Sequence, residues 1–415
     1  MRILTLFSLL LALASAPCAA AAASAMEAPA FIVATDLHYI SPELTDGGGY
    51  FTRMIENADG KVTAYCGELT EAFVQEVIRA RPACLILSGD LTFNGAKKSH
   101  EDLSAKLDSI ADAGIPVYVI PGNHDLNSRS AACFSGDGYT YVPSVTADEF
   151  ASIYHRFGFD DAISRDAHSL SYIAEPVDGV RLLMLDANTQ GAPCAIASPT
   201  LIWLEQQLAD ASKAGARMIS VTHQNIFAHS DLLSAGFVIT NAARLFELYN
   251  RYGVRVNLSG HMHLQHTMRS HSGILDIATS SLCVSPCQYG VITLGDEQAA
   301  YRTQTVDVSA WARENGKTDP NLLDFAAYAY RFFTGRSLDQ IAASLSAYGE
   351  ADARDMADFS IRLNYAYFSG RLDAFTSDPR IEALWAKENH SFWGLYVASM
   401  LREPDVNHTL LTFDY

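Results

Sequence analysis

Five times in this chain an apolar run of strand type stops abruptly at a polar cluster. Phe31-Ile32-Val33-Ala34 leads into Asp36-Leu37-His38, and Cys84-Leu85-Ile86-Leu87 into Gly89-Asp90. Val117-Tyr118-Val119-Ile120-Pro121 leads into Gly122-Asn123-His124-Asp125. Met218-Ile219-Ser220-Val221 leads into His223, and Val256-Asn257-Leu258 into Gly260-His261-Met262-His263. No core could bury such clusters without partners for their polar atoms. Five strands ending in Asp, His and Asn therefore predict one site at the carboxyl edge of a sheet, where open α/β sheets take their ligands.

The intervening stretches fit strands alternating with helices. Leu69, Phe73, Val77 and Ala80 predict a helix over 67–80, and a second is expected over about 98–113, stopped by Gly114 and Pro116. Thr146-Ala147-Asp148-Glu149 reads as a capping box, and 241–252 as a further helix. Ser198-Pro199 reads as the N-cap and first turn of a helix that turns Leu201, Leu204 and Leu208 inward. Segments 180–185, 274–278, 291–294 and 300–305 are expected strands. Residues 41–64, with Gly47-Gly48-Gly49 and no periodicity, read as a surface loop. Residues 126–145 form a polar insertion beside the site, the kind of loop that touches substrate. After Asp307 strand signals vanish and aromatic helices take over, with starts at Asp319-Pro320, Ser337 and Asp378-Pro379. The expected division is a leader over 1–25, a first domain over 26–306 and a smaller helical domain over 307–415.

Arg2, the apolar run 4–13 and Ala23-Ser24-Ala25 have the order of a cleavable secretory signal. They predict an exported protein, whether periplasmic, cell-surface or extracellular. No later stretch is long and apolar enough to span a bilayer. Six cysteines follow the leader: Cys66, Cys84, Cys133, Cys194, Cys283 and Cys287. An even number in an exported chain permits disulfides, and Cys283 and Cys287 are close enough for a local bridge. Cys84, inside an apolar strand, suits a buried thiol. The absence of a CxxC pair argues against structural zinc. A net charge of -18 argues against a nucleic-acid groove. It also obliges an anionic substrate to find local positive charge, which metal ions supply.

Asp, His and Asn are oxygen and imidazole donors suited to zinc, manganese or iron. Asp36 and His38 can face one cation together as the chain turns. Asp90, alone after its strand, can give one oxygen to each of two cations. Asn123 adds an amide oxygen, and His223, His261 and His263 add imidazoles. The set divides between two cations about 3.5–4 Å apart, the spacing used for in-line phosphoryl displacement. Two divalent ions against Asp36, Asp90 and a bridging hydroxide leave a positive centre that can hold a phosphate.

In order, Asp36-x-His38, Gly89-Asp90, Gly122-Asn123-His124-Asp125, His223 and Gly260-His261-x-His263 resemble the calcineurin-like metallophosphoesterase pattern, over about residues 31–305. The resemblance implies an α/β fold, a two-sheet metallophosphoesterase sandwich flanked by helices, and leaves the final helical domain uncovered. It implies that Asp36, His38, Asp90 and His263 hold one metal, and Asp90, Asn123, His223 and His261 a second. His124 would contact the phosphate or protonate the leaving oxygen, and Asp125 would orient His124. The cofactors implied are two divalent or trivalent transition-metal ions, Mn, Fe or Zn. The expected activity is hydrolysis of a small-molecule phosphoester by a metal-bridging hydroxide. A phosphodiester is favoured over a phosphomonoester, because 149–154 and 169–172 resemble bacterial phosphodiesterase-type members. The alternatives are a phosphomonoesterase on the same site and a metal-binding scaffold without activity. Asn94, Asn127, Arg129, Asn225, His229 and His266 are read as turn formers, surface groups or supporting residues, with His266 at the surface. Trp385, Phe392, Trp393 and Tyr396 are read as helical core.

Overall fold

The computed structural model describes residues 28–191, 194–403 and 406–415; the expected leader lies outside them. Ala30–Ala34, Cys84–Leu87 and Val117–Val119 run parallel at one edge of a six-stranded sheet. They are short and almost wholly buried, as parallel strands covered on both faces must be. The sheet continues through Gln288–Leu294, Gln298–Thr305 and Leu410–Asp414 in antiparallel pairing. A second sheet has seven strands, in the order His266–Arg269, Leu275–Ala278, Val256–Ser259, Arg217–Val221, Val180–Met184, Tyr172–Val177, Ser164–Arg165. Its second to fifth strands are parallel.

The sheets pack face to face: Val33 and Ile86 of the first share one core with Leu182, Ile219 and Leu258 of the second. Helices Cys66–Ala80 and Lys97–Asp112 cover the first sheet, with the Phe73 and Tyr289 rings 5.2 Å apart. Helices Ser198–Ala214 and Ala242–Tyr252 cover the second, where Leu204, Leu208 and Leu245 join Leu183 in a separate core. The Thr146 capping box forms at the start of Ala147–Ile153. Ser198, by contrast, is not a cap but the first helical residue. Asn241 fixes that entry instead, by exchanging hydrogen bonds with both backbone groups of Ile196.

Beyond the sheets, the helices Val308–Glu314, Pro320–Leu323, Phe325–Leu345, Glu350–Phe368, Pro379–Trp385 and Phe392–Arg402 follow in order. They build a third core in which Met262 and Leu264 pack with Ile341, Leu363, Tyr367 and Met400. Met262 lies between His261 and His263, so the helical part grips the loop that carries two predicted donors.

Several expectations are corrected. Residues 41–64 are not a loop: Gly49–Glu56 is helical and buries Phe51 and Ile55, a pattern hidden behind the glycine run. The insertion after Leu126 contains a hairpin, Ala132–Ser135 with Gly138–Tyr141. The last segment is not all helical, since Leu410–Asp414 returns to pair with Gln298–Thr305. All six described cysteines are free thiols, with Cys283 and Cys287 buried. His266 is only 2% exposed, and Phe392 is 59% exposed where core was expected. Among the described residues no helix is long and apolar enough to cross a membrane.

Candidate metal centre

Parallel pairing brings the strand ends level. Ala34 pairs with Leu87 and Leu87 with Val119 in the first sheet, while Met184, Val221 and Leu258 fall in register in the second. The loops beyond are tied to one another: Asp36 N donates to Gly89 O at 3.0 Å, His38 N to Asp90 O at 3.1 Å and Gly260 N to His223 O at 2.9 Å. Asp36, His38, Asp90, His261 and His263 all take left-handed backbone, with φ between 45° and 67°. That is uncommon outside glycine, and such strain gathers at functional sites. A Cβ on Gly260 would lie 2.0 Å from Thr35 Oγ1 and 2.7 Å from Asp36 Oδ2, so only glycine lets these loops approach.

The side chains meet in two groups that share one carboxylate. Asp36, His38, Asp90 and His263 offer donor atoms within 4.8 Å of one another, and so do Asp90, His223 and His261. Asn123 reaches the second group, its Oδ1 3.1 Å from His223 Nε2. Three of the imidazoles are oriented from behind. His223 Nδ1 donates to Ser88 O at 2.9 Å and His261 Nε2 to Gly236 O at 3.1 Å. A carbonyl can only accept, so in the neutral ring the other nitrogen of each is a free lone pair. His263 turns Nδ1 toward the Asp59 carboxylate at 3.5 Å and Nε2 toward Asp36 Oδ1 at 3.2 Å.

These residues fit cations. Asp36 Oδ1 is buried without a hydrogen-bond partner, and His38 Nε2 faces His263 Nε2 at 3.2 Å. Buried acceptors aimed at one another are costly unless something positive lies among them. Carboxylate, imidazole and amide donors suit zinc, manganese or iron. Burial opposes charge on every group here, but opposite neighbours overrule it at Asp36, Asp90, His223 and His263. His263 holds Asp36 far below the usual carboxylate range, and His223 and His124 do the same for Asp90. Asp90 and Asp36 lift His223 to about 9 against its burial, and Asp36 and Asp59 lift His263 to about 9. Burial, then His223, pushes His261 down to about 4, and burial depresses His38. The two carboxylates thus draw positive charge between them.

His124 stands at the open side of the centre, its Nε2 3.8 Å from Asp90 Oδ2. Asp125 does not orient it, contrary to expectation. The Asp125 carboxylate is fully buried and accepts from the amides of Leu91, Thr92 and Gly122 at 3.0, 2.9 and 2.8 Å, and from Thr92 Oγ1 at 3.0 Å. It straps the Asp90 loop to the Asn123 loop. His124 is held by the Phe93 carbonyl, which accepts from Nδ1 at 2.9 Å.

Sequence reasoning missed Asp59 and Lys61, which pair at 3.1 Å beside His263. No linear signal joins that aperiodic stretch to a loop so distant in the chain. It also missed Gln224 and Asn188, which exchange amide hydrogen bonds at 2.7 and 3.2 Å next to Asn123. Asn225 is buried and supports the tight turn by donating to Ser259 Oγ and Gly260 O. Asn94 is buried against Ala132 O, whereas Asn127 and Arg129 are exposed. His229 and His266 form a buried pair, with Nδ1 atoms 3.1 Å apart and His229 Nε2 3.2 Å from Asp276.

Comparison with known proteins gives the same site a family. The model of the C-terminal domain of cyclic nucleotide phosphodiesterase matches residues 307–407. A protein of Rhodococcus erythropolis named "Probable cyclic nucleotide phosphodiesterase" is 27% identical over 207 residues, 49% of this chain and 58% of that protein. One of the same name from Psychrobacter arcticus is 24% identical over 224 residues, 53% of this chain and 71% of that protein. This chain therefore spans less than two thirds of the Rhodococcus relative. A dimetal phosphatase of Danio rerio superposes with a TM-score of 0.49 at 14% identity, covering 67% of this chain and 96% of that one. The calcineurin-like phosphoesterase model matches residues 29–265, more than half of the chain and all five strand-end clusters up to His263, and on that match the chain belongs to the calcineurin-like phosphoesterase family.

Proposed function

We propose that this protein is a two-metal phosphodiesterase whose substrates are nucleotide-type diesters. The observation that carries the reading is the Asp90 carboxylate, which lies in both donor groups at once. Asp36, His38, Asp90 and His263 would hold one cation, and Asp90, Asn123, His223 and His261 the other. When bound, the cations would polarise the phosphoryl oxygens and acidify the attacking water. The chain's own residues do the rest. Thr35 Oγ1 fixes Asp36 through Oδ2 at 2.7 Å, and the Ser88 and Gly236 carbonyls hold Nδ1 of His223 and Nε2 of His261, which leaves the other nitrogen of each ring for a cation. The Asn188–Gln224 amide pair steadies Asn123. His124, held by the Phe93 carbonyl through Nδ1, has Nε2 placed to deliver a proton to the departing ester oxygen, a role typically worth about 10²–10⁴-fold in rate. A scaffold without activity would have no use for a histidine aimed in this way.

The relatives' names and the match over 307–407 support a diester with a nucleoside part. The test is hydrolysis of adenosine 3′,5′-cyclic monophosphate, bis(4-nitrophenyl) phosphate and 4-nitrophenyl phosphate by manganese-loaded protein. Faster turnover of the diesters, abolished by chelation, is expected. Turnover of the monoester alone would overturn the diester reading, and activity that survives complete metal removal would overturn the metal reading. Export belongs to the same proposal, on the strength of Arg2, the apolar run 4–13 and Ala23-Ser24-Ala25. The amino-terminal sequence of protein recovered outside the cytoplasm should begin close to Met26.

A further inference from the structure

A cavity of about 460 Å³ lies between the Asp59–Gly60 turn and three helices of the C-terminal part, Phe325–Leu345, Glu350–Phe368 and Phe392–Arg402. It adjoins the metal centre, because Asp59 in its wall faces His263 Nδ1 at 3.5 Å. The volume is in the range of small-ligand sites, about 300–1,000 Å³. Resting on the phosphodiesterase reading above, we propose that this cavity takes the base of a nucleotide substrate while its phosphate lies at the metal centre.

Three features of the lining point to a planar, hydrogen-bonding occupant. The walls are aromatic, with Phe368, Phe392 and Trp393 among them. Phe392 is 59% exposed, and its ring lies nearly parallel to that of Tyr396, 14° apart with centroids at 5.8 Å. A phenyl ring left half in solvent at a cavity lip offers a π face on which any base can stack. The walls also carry Arg336 and Gln340. Arg336 uses Nε on Ala58 O at 3.3 Å and Nη1 on Asp339 at 2.8 Å, which leaves Nη2 without an acceptor among the described residues. An arginine in the wall disfavours a quaternary ammonium head, which aromatic cages otherwise attract. An arginine and an amide together disfavour an alkyl chain, which would strand both.

A second hollow of about 280 Å³ borders the centre on the side of Asn123 and His261, lined also by Asn188 and Gln224. Among the described residues no phenyl, phenol or indole ring lines it, so it suits the phosphate and leaving group, and the base goes to the aromatic side. The helical part then contributes to specificity as well as to the grip on Met262.

The test compares adenosine 3′,5′-cyclic monophosphate with methyl 4-nitrophenyl phosphate, a diester without a base, using the full manganese-loaded chain. Phe392→Ala should lower the ratio of kcat/KM for the first over the second by about 5- to 100-fold, through KM. Gln340→Ala should shift the ratio in the same direction by less. Both side chains are exposed, so neither change threatens folding. Calorimetric titration of adenosine 5′-monophosphate into the metal-free full chain gives a readout independent of turnover. Binding that Phe392→Ala weakens by a similar factor is expected. An unchanged ratio and unchanged binding in Phe392→Ala would overturn the proposal. Turnover of the methyl ester with neither turnover nor binding of the adenosine compounds would overturn the base site and leave the phosphodiesterase reading standing. Binding lost in Phe392→Ala with no hydrolysis of either ester would support the base site and overturn the phosphodiesterase reading.

Discussion

His124 donates its Nδ1 proton to the carbonyl oxygen of Phe93 at 2.9 Å, which leaves Nε2 as the nitrogen facing Asp90. The ring therefore needs no carboxylate partner to be aimed, and it is not required to complete either donor group. His124→Ala should keep both metals and the fold while losing about 10²–10⁴-fold in kcat for esters of aliphatic alcohols. The loss should shrink for 4-nitrophenyl esters, whose leaving group needs little protonation. Metal analysis beside leaving-group kinetics checks this: loss of metal would make the residue a ligand, and an equal loss for all leaving groups would make it a phosphate contact.

Asp125 has a structural task. Removing its carboxylate leaves the buried amides of Leu91, Thr92 and Gly122 without an acceptor. Each such group costs about 1–3 kcal/mol. Asp125→Ala should therefore lower stability by about 3 kcal/mol or more in urea unfolding and loosen metal binding with it. An Asp125→Ala protein of full stability that is slow only with poor leaving groups would return the residue to the His124 proton path.

Asp59 stands behind His263 as carboxylates commonly stand behind metal-binding histidines, where their loss costs about 10–100-fold in metal affinity. Asp59→Asn should weaken manganese binding within that range in calorimetric titration. The effect on kcat at saturating metal should be much smaller. Unchanged affinity would show that the contact does not orient the ring.

His100 contributes to the pH dependence of stability away from the metal donors. It is wholly buried, with Nδ1 3.0 Å from Tyr154 Oη and Nε2 3.1 Å from the Asp125 carbonyl. Burial outweighs the bond to that carbonyl and lowers it from 6.5 to about 3. Between those values the unfolded chain binds a proton that the folded chain refuses, so stability falls as pH drops through that window. The slope due to this residue approaches about 1.4 kcal/mol per pH unit. Urea midpoints at several pH values should show a shallower fall in His100→Gln than in the wild-type protein, though from a lower starting stability. Parallel curves would count against the assignment.

The sequence by itself determined the five strands that end at the centre, the donors and the place where they meet. A buried strand is legible as a short apolar run, and Asp36, Asp90, Asn123, His223 and His261 follow such runs within a few residues. Chain connectivity alone then carries them to the carboxyl ends of the sheets. What only the tertiary structure decided are relations with no trace along the chain. The carbonyls of Ser88, Phe93 and Gly236 orient three histidines, yet every residue owns a carbonyl and none announces its direction. Asp125 follows His124 directly, but the backbone turns one side chain toward solvent and the other into the core, so adjacency misled about their partnership. Asp59 reaches His263, and Phe392 reaches the cavity lip, only because the helical segment folds back onto the sheets. Local pattern reports what a residue's neighbours in sequence impose, whereas side-chain direction and partner depend on packing between segments that are remote in the chain.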